Sequence, residues 1–270
     1  MAAALKRKGL PNTGEEAPVE EEMSLWGHLE DLRWTVVRAV IGIVLGMIIC
    51  GVFFDQITNY VILAPTAATK PPMKLVNTEV YGQLSVWMQI VMWGGVVLSF
   101  PYTLVQIWKF IAPGLHAKEK HYVRQITIFT VLSFIAGMAF AYWVMLPMVL
   151  DFAMGFVIGT GVGAVENLIE IHKYLSVFLE IVLISGLVFE LPLVAYFLAR
   201  MGILTPSFLR HYRRHAIVLL LAVAAFLSPG GNPILQLILF GPLWALFEIS
   251  IGTTVLAARQ RRKAEAAIMS

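Results

Sequence analysis

The sequence predicts an all-α polytopic membrane protein with six transmembrane helices, the last two short, and both termini in the cytoplasm. Three observations carry this expectation. Hydrophobic residues make up 59% of the 270-residue chain and charged residues only 14%, with a mean hydropathy of +0.77; soluble proteins carry about 25% charged residues. Six apolar runs punctuate the chain, and about 20 such residues suffice to cross a bilayer as one helix. Lysine and arginine gather in alternate loops, the ones that stay in the cytoplasm.

Residues 1–22 mix Lys6, Arg7 and Lys8 with Glu15, Glu16 and Glu20 to Glu22. Without an apolar core they are no secretory signal and read as a disordered cytoplasmic tail. Residues 23–258 then form one integral membrane domain. Its runs are Trp34–Phe54, Leu84–Ile107, Ile126–Leu146, Tyr174–Ala199, Ala216–Leu227 and Ile234–Ala257. The fifth is short. The sixth is interrupted by Gly241-Pro242. Between them lies the uncharged turn Ser228-Pro229-Gly230-Gly231-Asn232-Pro233, so the last two runs read as a short helical hairpin. A basic cytoplasmic tail, 259–270, follows.

Arg33 and Arg38 stand at the start of the first run. Lys109, Lys118, Lys120 and Arg124 lie between the second and third, and Arg200, Arg210, Arg213 and Arg214 between the fourth and fifth. Arg259, Arg261, Arg262 and Lys263 follow the sixth. The alternate loops hold little beyond Lys70, Lys74 and Lys173. Within the outer loops, Met148–Ile158 reads as a helix on the outer surface, and Gly159 to Gly163 as a flexible connector rather than a nucleotide loop. The lone Cys50 excludes an intrachain disulfide.

The fourth run carries an acid, Glu190, deep in apolar sequence and beside Pro192. A charge at that depth costs about 2.5–3.5 kcal/mol, and intramembrane acids are functional by default. Pro192 lacks an N–H and is expected to kink the helix there. Glu180, ten residues earlier, is expected to pair with Ser176 or reach the interface. Glu248 in the sixth run reads equally as a packing residue or a site, and Gln106 and Gln236 as polar links between helices. Glu30, Asp31 and Glu119 stand among basic residues at the cytoplasmic side. Local pairing accounts for each acid singly; together they form acidic patches able to accept guanidinium groups through paired hydrogen bonds. His116, Glu119 and His121 lack the spacing of a metal site. There is no Walker loop and no nucleophile–base pairing, so no enzyme, cofactor or metal is expected, and no nucleic acid.

In order, the chain shows His28-Leu29-Glu30-Asp31-Leu32-Arg33, Pro101-Tyr102, Gln106 through Leu115 (QIWKFIAPGL), Glu119, Gly137 through Tyr142 (GMAFAY), Phe189-Glu190-Leu191-Pro192 and Phe247-Glu248. From about residue 24 to 257 this resembles TatC, the receptor subunit of the twin-arginine translocase. The resemblance implies six helices arranged as a concave wall in the cytoplasmic (inner) membrane of a bacterium. It implies binding of the twin-arginine signal peptides of folded precursors, and transport driven by the proton-motive force. It places Asp31, Arg33 and Glu119, assisted by Glu30, at the signal peptide. It places Glu190, with Pro192, Gln236 and Glu248, at contacts with single-span TatA- and TatB-like subunits, within a self-associating receptor complex. Asp31 stands where the family usually has Glu, Gln89 where a Lys is frequent, and Pro229-Gly230-Gly231-Asn232 where the outer turn often carries an acid. A small proton-coupled transporter using Glu190 is the alternative, although the chain shows no convincing internal repeat.

Overall fold

Leu25–Val52 forms one unbroken helix, α1, about 42 Å long at 1.5 Å per residue. The computed structural model describes residues 25–70, 72–111, 120–155, 167–228 and 232–269. α1 packs lengthwise on α4, Gly82–Ile111. Glycine permits their crossing: a Cβ on Gly46 would come within 2.5 Å of the carbonyl oxygen of Gly95. α1 also leaves Ile41, Leu45 and Ile48 exposed, as a lipid-facing helix requires. α4 continues unbroken past Pro101. Only one backbone bond is lost there, and the Ser99 hydroxyl donates to the Val96 carbonyl nearby, at 3.0 Å.

Short elements fold the chain between α1 and α4: α2 (Phe54–Ile57), a π-helical turn (Thr58–Ile62), α3 (Ala64–Ala68) and strand β1 (Lys74–Val76). β1 pairs in parallel with β2, Leu168–Glu170, with Leu75 opposite Ile169. Period-two patterning over three residues is too brief to read from sequence, so neither strand was foreseeable.

α5 (Lys120–Phe140) continues through a π-helical turn (Ala141–Met145) into α6 (Leu146–Gly155). The expected helix at Met148–Ile158 is therefore corrected. Its described part does not lie apart on the outer surface but prolongs α5, with Leu146, Val149, Leu150 and Met154 buried. The π-turn rotates the helix face just enough to keep those side chains on the core. α7 (Ile171–Phe189) and α8 (Leu191–Arg200) divide the fourth run at Glu190. α7 meets α5 at two glycines, where a Cβ on Gly137 would lie 2.8 Å from Gly186 Cα.

α9 (Pro206–His211) starts on Thr205, whose side chain accepts from the Phe208 N–H, and leads into α10 (Arg213–Leu227). α10 is short, as expected. The last helix, α11, is not: it spans Pro233–Met269 without a break at Gly241-Pro242. Leu239, Leu243, Leu246 and Phe247 are buried around that point, against α8 and α10. This packing outweighs the single hydrogen bond that Pro242 removes. Among the described residues five helices, counting α5–α6 and α7–α8 as one each, are long and apolar enough to cross a membrane; α10 is not among them. The main core joins α4, α5, α6, α7, α10 and α11.

Candidate functional site

Helix polarity sorts the residues of interest into two ends and a middle. At one end α1 begins, α4 stops and α8 stops. Glu30, Asp31 and Arg33 lie on the first turns of α1 itself, all exposed. The Thr35 hydroxyl donates to the backbone carbonyl of Asp31, at 2.8 Å, and Asp31 itself is exposed. The imidazole of His28 stacks on Phe110, in the last turn of α4, with centroids 4.5 Å apart and planes 25° from parallel. Residues three apart on a helix share a face, so Asp31 lies on the side that His28 turns toward α4. The end of α4 is itself fixed. Trp108 donates from Nε1 to Thr130 of α5 at 2.9 Å and meets the edge of Phe197 of α8 at 4.7 Å.

One residue past Phe110, α4 ends, and the chain leads into the stretch that carries Glu119. Glu119 lies outside the described residues, as do Gly159 to Gly163 and Pro229 to Gly231.

In the middle, Glu190 is 6% exposed. Neither carboxylate oxygen has a hydrogen-bond partner among the described residues. The backbone around it is fully engaged: its N–H bonds Leu187, and its carbonyl accepts from Leu193 and Val194. Nearby hydroxyls are engaged too. Ser133 donates to the Phe189 carbonyl at 2.7 Å, Ser185 to that of Gly137 at 3.0 Å, and Thr253 of α11 to that of Pro192 at 2.9 Å. These bonds clamp the α7–α8 break between α5 and α11. Pro192 sits in the first turn of α8, where a missing N–H costs nothing.

Gln236 and Glu248 lie elsewhere on α11. The Gln236 amide donates to the Leu221 carbonyl of α10, at 3.0 Å. Glu248 accepts from Arg213, at 2.7 Å. Both groups tie α11 to α10. Three acids of the sequence reading, Glu190, Glu248 and Asp31, are thus dispersed along the molecule rather than gathered into one pocket. No group of three or more His, Cys, Asp or Glu able to hold a metal occurs among the described residues.

The sequence reading missed two features. One is the His28–Phe110 stack, which no periodicity signals. The other is a groove of about 340 Å³ around Glu180. Ser176, expected to pair with Glu180, instead accepts from Gln89 at 2.9 Å.

Comparison with known proteins gives a consistent result. Residues 27–242 match the family model for TatC, Sec-independent protein translocase protein. The chain is 36% identical over 232 residues to the Sec-independent protein translocase protein TatC of Carboxydothermus hydrogenoformans, covering 86% of this chain and 93% of that one. It is 32% identical over 246 residues to the TatC of Halalkalibacterium halodurans, covering 91% and 94%. The fold superposes on a crystal structure of the twin-arginine translocase receptor TatC with a TM-score of 0.76 and 30% identity, covering 85% of this chain and 99% of that one.

Proposed function

Because this chain belongs to the TatC family of Sec-independent protein translocases, we propose that it is the receptor and scaffold of twin-arginine protein export. It binds the twin-arginine signals of folded precursors and recruits single-span TatA- and TatB-like subunits for transport driven by the proton-motive force. In this reading it is not an enzyme. It crosses the inner membrane of a bacterium six times, α10 being the short crossing, with both termini cytoplasmic and the helices arranged as a concave wall. Residues 1–22 and 259–270 are its cytoplasmic tails. Membership of a translocase family leaves the proton-coupled transporter without support.

The signal site lies at the end where α1 begins. Asp31 and Glu119 hold the two arginines, assisted by Glu30, while Arg33 orients the acidic cluster. Carboxylates suit this task because each accepts two parallel bonds from a guanidinium, roughly twice as strong as neutral ones. The observation that carries the reading is the stack of His28 on Phe110. It joins the segment bearing Asp31 to the helix end from which the Glu119 segment departs. Glu190 offers a polar contact to a partner helix within the bilayer, next to the break at Pro192. Gln236 and Glu248, held against α10, offer further contacts to partner helices away from Glu190, and copies of the chain associate in the receptor complex.

A photo-crosslinker at position 119 tests the site in membranes. A labelled peptide with a twin-arginine signal should crosslink strongly, and a twin-lysine version should not. Equal labelling by both peptides, or by neither with the protein folded and abundant, would refute the assignment.

A further inference from the structure

Glu180 is a second intramembrane acid, and it serves a different neighbour from Glu190. The two are ten residues apart on one helical run, so their directions differ by about 80°. Glu190 is enclosed by α5, α8 and α11. Glu180 instead lines a groove between α4, α7 and α10, together with Gln89, Trp93, Ser176, Leu183 and Phe226. Trp93 is 48% exposed and Phe226 67%, so the groove opens on the outer surface of the bundle.

The other polar groups in the groove are engaged with one another. Gln89 donates to Ser176 at 2.9 Å, and its carbonyl end faces His172 at 3.4 Å. His172 in turn meets the Gly82 carbonyl at 3.0 Å and Glu79 at 3.8 Å. Among the described residues Glu180 has neither a hydrogen bond nor an ion pair. A carboxylate surrounded by Trp93, Leu183 and Phe226 needs a partner, and membrane acids find one by pairing.

Depth decides what that partner is. The run Ile171–Arg200 has 30 residues, about 45 Å, which matches a bilayer with its headgroups, about 30 Å of it hydrocarbon. Glu180 is nine residues from the start of the run, about 13 Å down, beyond the headgroup layer and inside the hydrocarbon. A lipid ammonium would have to leave that layer to reach it. A side chain borne on a helix would not.

We propose that this groove is a docking site for a membrane-crossing helix that carries a lysine or arginine in the third of its span nearest the β1–β2 end. The basic group pairs with Glu180, and the helix body packs between Trp93 and Phe226.

The test uses the full chain in nanodiscs of phosphatidylcholine and phosphatidylglycerol, with three labelled single-span Leu-Ala peptides. One carries Lys a third of the way across, one at the centre, and one carries none. By energy transfer, the first should bind at least tenfold more tightly than the others. That preference should vanish in Glu180→Gln, a nearly isosteric change. It should reverse in Glu180→Lys when the peptide's Lys is replaced by Glu. Equal binding of the three peptides, or a preference that survives Glu180→Gln, overturns the proposal. So does native mass spectrometry in which the wild type, but not Glu180→Gln, retains added phosphatidylethanolamine while showing no peptide preference; that result assigns the groove to a lipid.

Discussion

Asp31 faces water and Glu190 faces protein, and the difference governs how each responds to substitution. Asp31 is exposed on the first turns of α1, so changing it should leave stability within about 0.5 kcal/mol of wild type. Asp31→Asn should nevertheless weaken binding of a twin-arginine peptide by about 10–100-fold, the worth of one charge-assisted contact. Asp31→Glu should retain most of the binding, since it keeps the charge. A peptide titration reads both, and wild-type affinity in Asp31→Asn would place the arginines elsewhere. Glu190 behaves in the opposite way. Buried without a partner among the described residues, it imposes a desolvation cost on the isolated chain. Glu190→Leu should therefore raise thermal stability in detergent, by about 1–3 kcal/mol, while abolishing recruitment of single-span subunits in membranes. A lower melting point would mean that the acid is paired in the isolated protein. The Arg213–Glu248 bridge is close, but both side chains are partly exposed, 47% and 35%. A double-mutant cycle should assign it no more than about 1 kcal/mol.

At the scale of elements, two helix crossings depend on missing side chains. Gly137→Val would drive a branched side chain into the Gly186 backbone, 2.8 Å from where its Cβ would sit. Packed helices cannot absorb this without separating, and a loss of about 2–3 kcal/mol or more is expected, visible as a lower melting temperature. Gly27→Ala, where a Cβ meets nothing within 4 Å, should instead stabilise slightly, by about 0.4–1 kcal/mol. The apolar runs were legible in the sequence because membrane helices need composition more than pattern. Their ends were not. α11 passes Pro242 and continues to Met269 because packing against α8 and α10 decides whether a proline stops a helix. α6 prolongs α5 through a π-turn because burial of Leu146 and Val149 outweighs one irregular turn. At Glu190, by contrast, the helix does break, and Pro192 lies in the first turn of α8, where its missing N–H costs nothing.

At the scale of the whole molecule, the proposed topology makes a direct prediction. Cys50 is buried, so single cysteines introduced elsewhere report cleanly. A cysteine at Val80, 92% exposed near β1, should react with an impermeant maleimide in intact spheroplasts. One at Arg262 should react only after the membrane is opened. The reverse pattern would invert the molecule and place the acidic end outside.

The amino-acid order was enough for the class of protein, the rough position of its apolar helices, and the acids that stand out from their surroundings. Each of these depends on composition over one segment: hydrocarbon tolerates few charges, so every exception is conspicuous. Only the tertiary structure decided which of those acids share a neighbourhood. It joined the start of α1 to the end of α4 through His28 and Phe110, buried Glu190 at the break between α7 and α8, gave Glu248 to Arg213, and opened a groove at Glu180. These outcomes depend on pairs of residues 35 to 87 positions apart and on helix rotation, and a helix turns about 100° with each residue. A shift of one residue in packing would send any of these side chains to a different face.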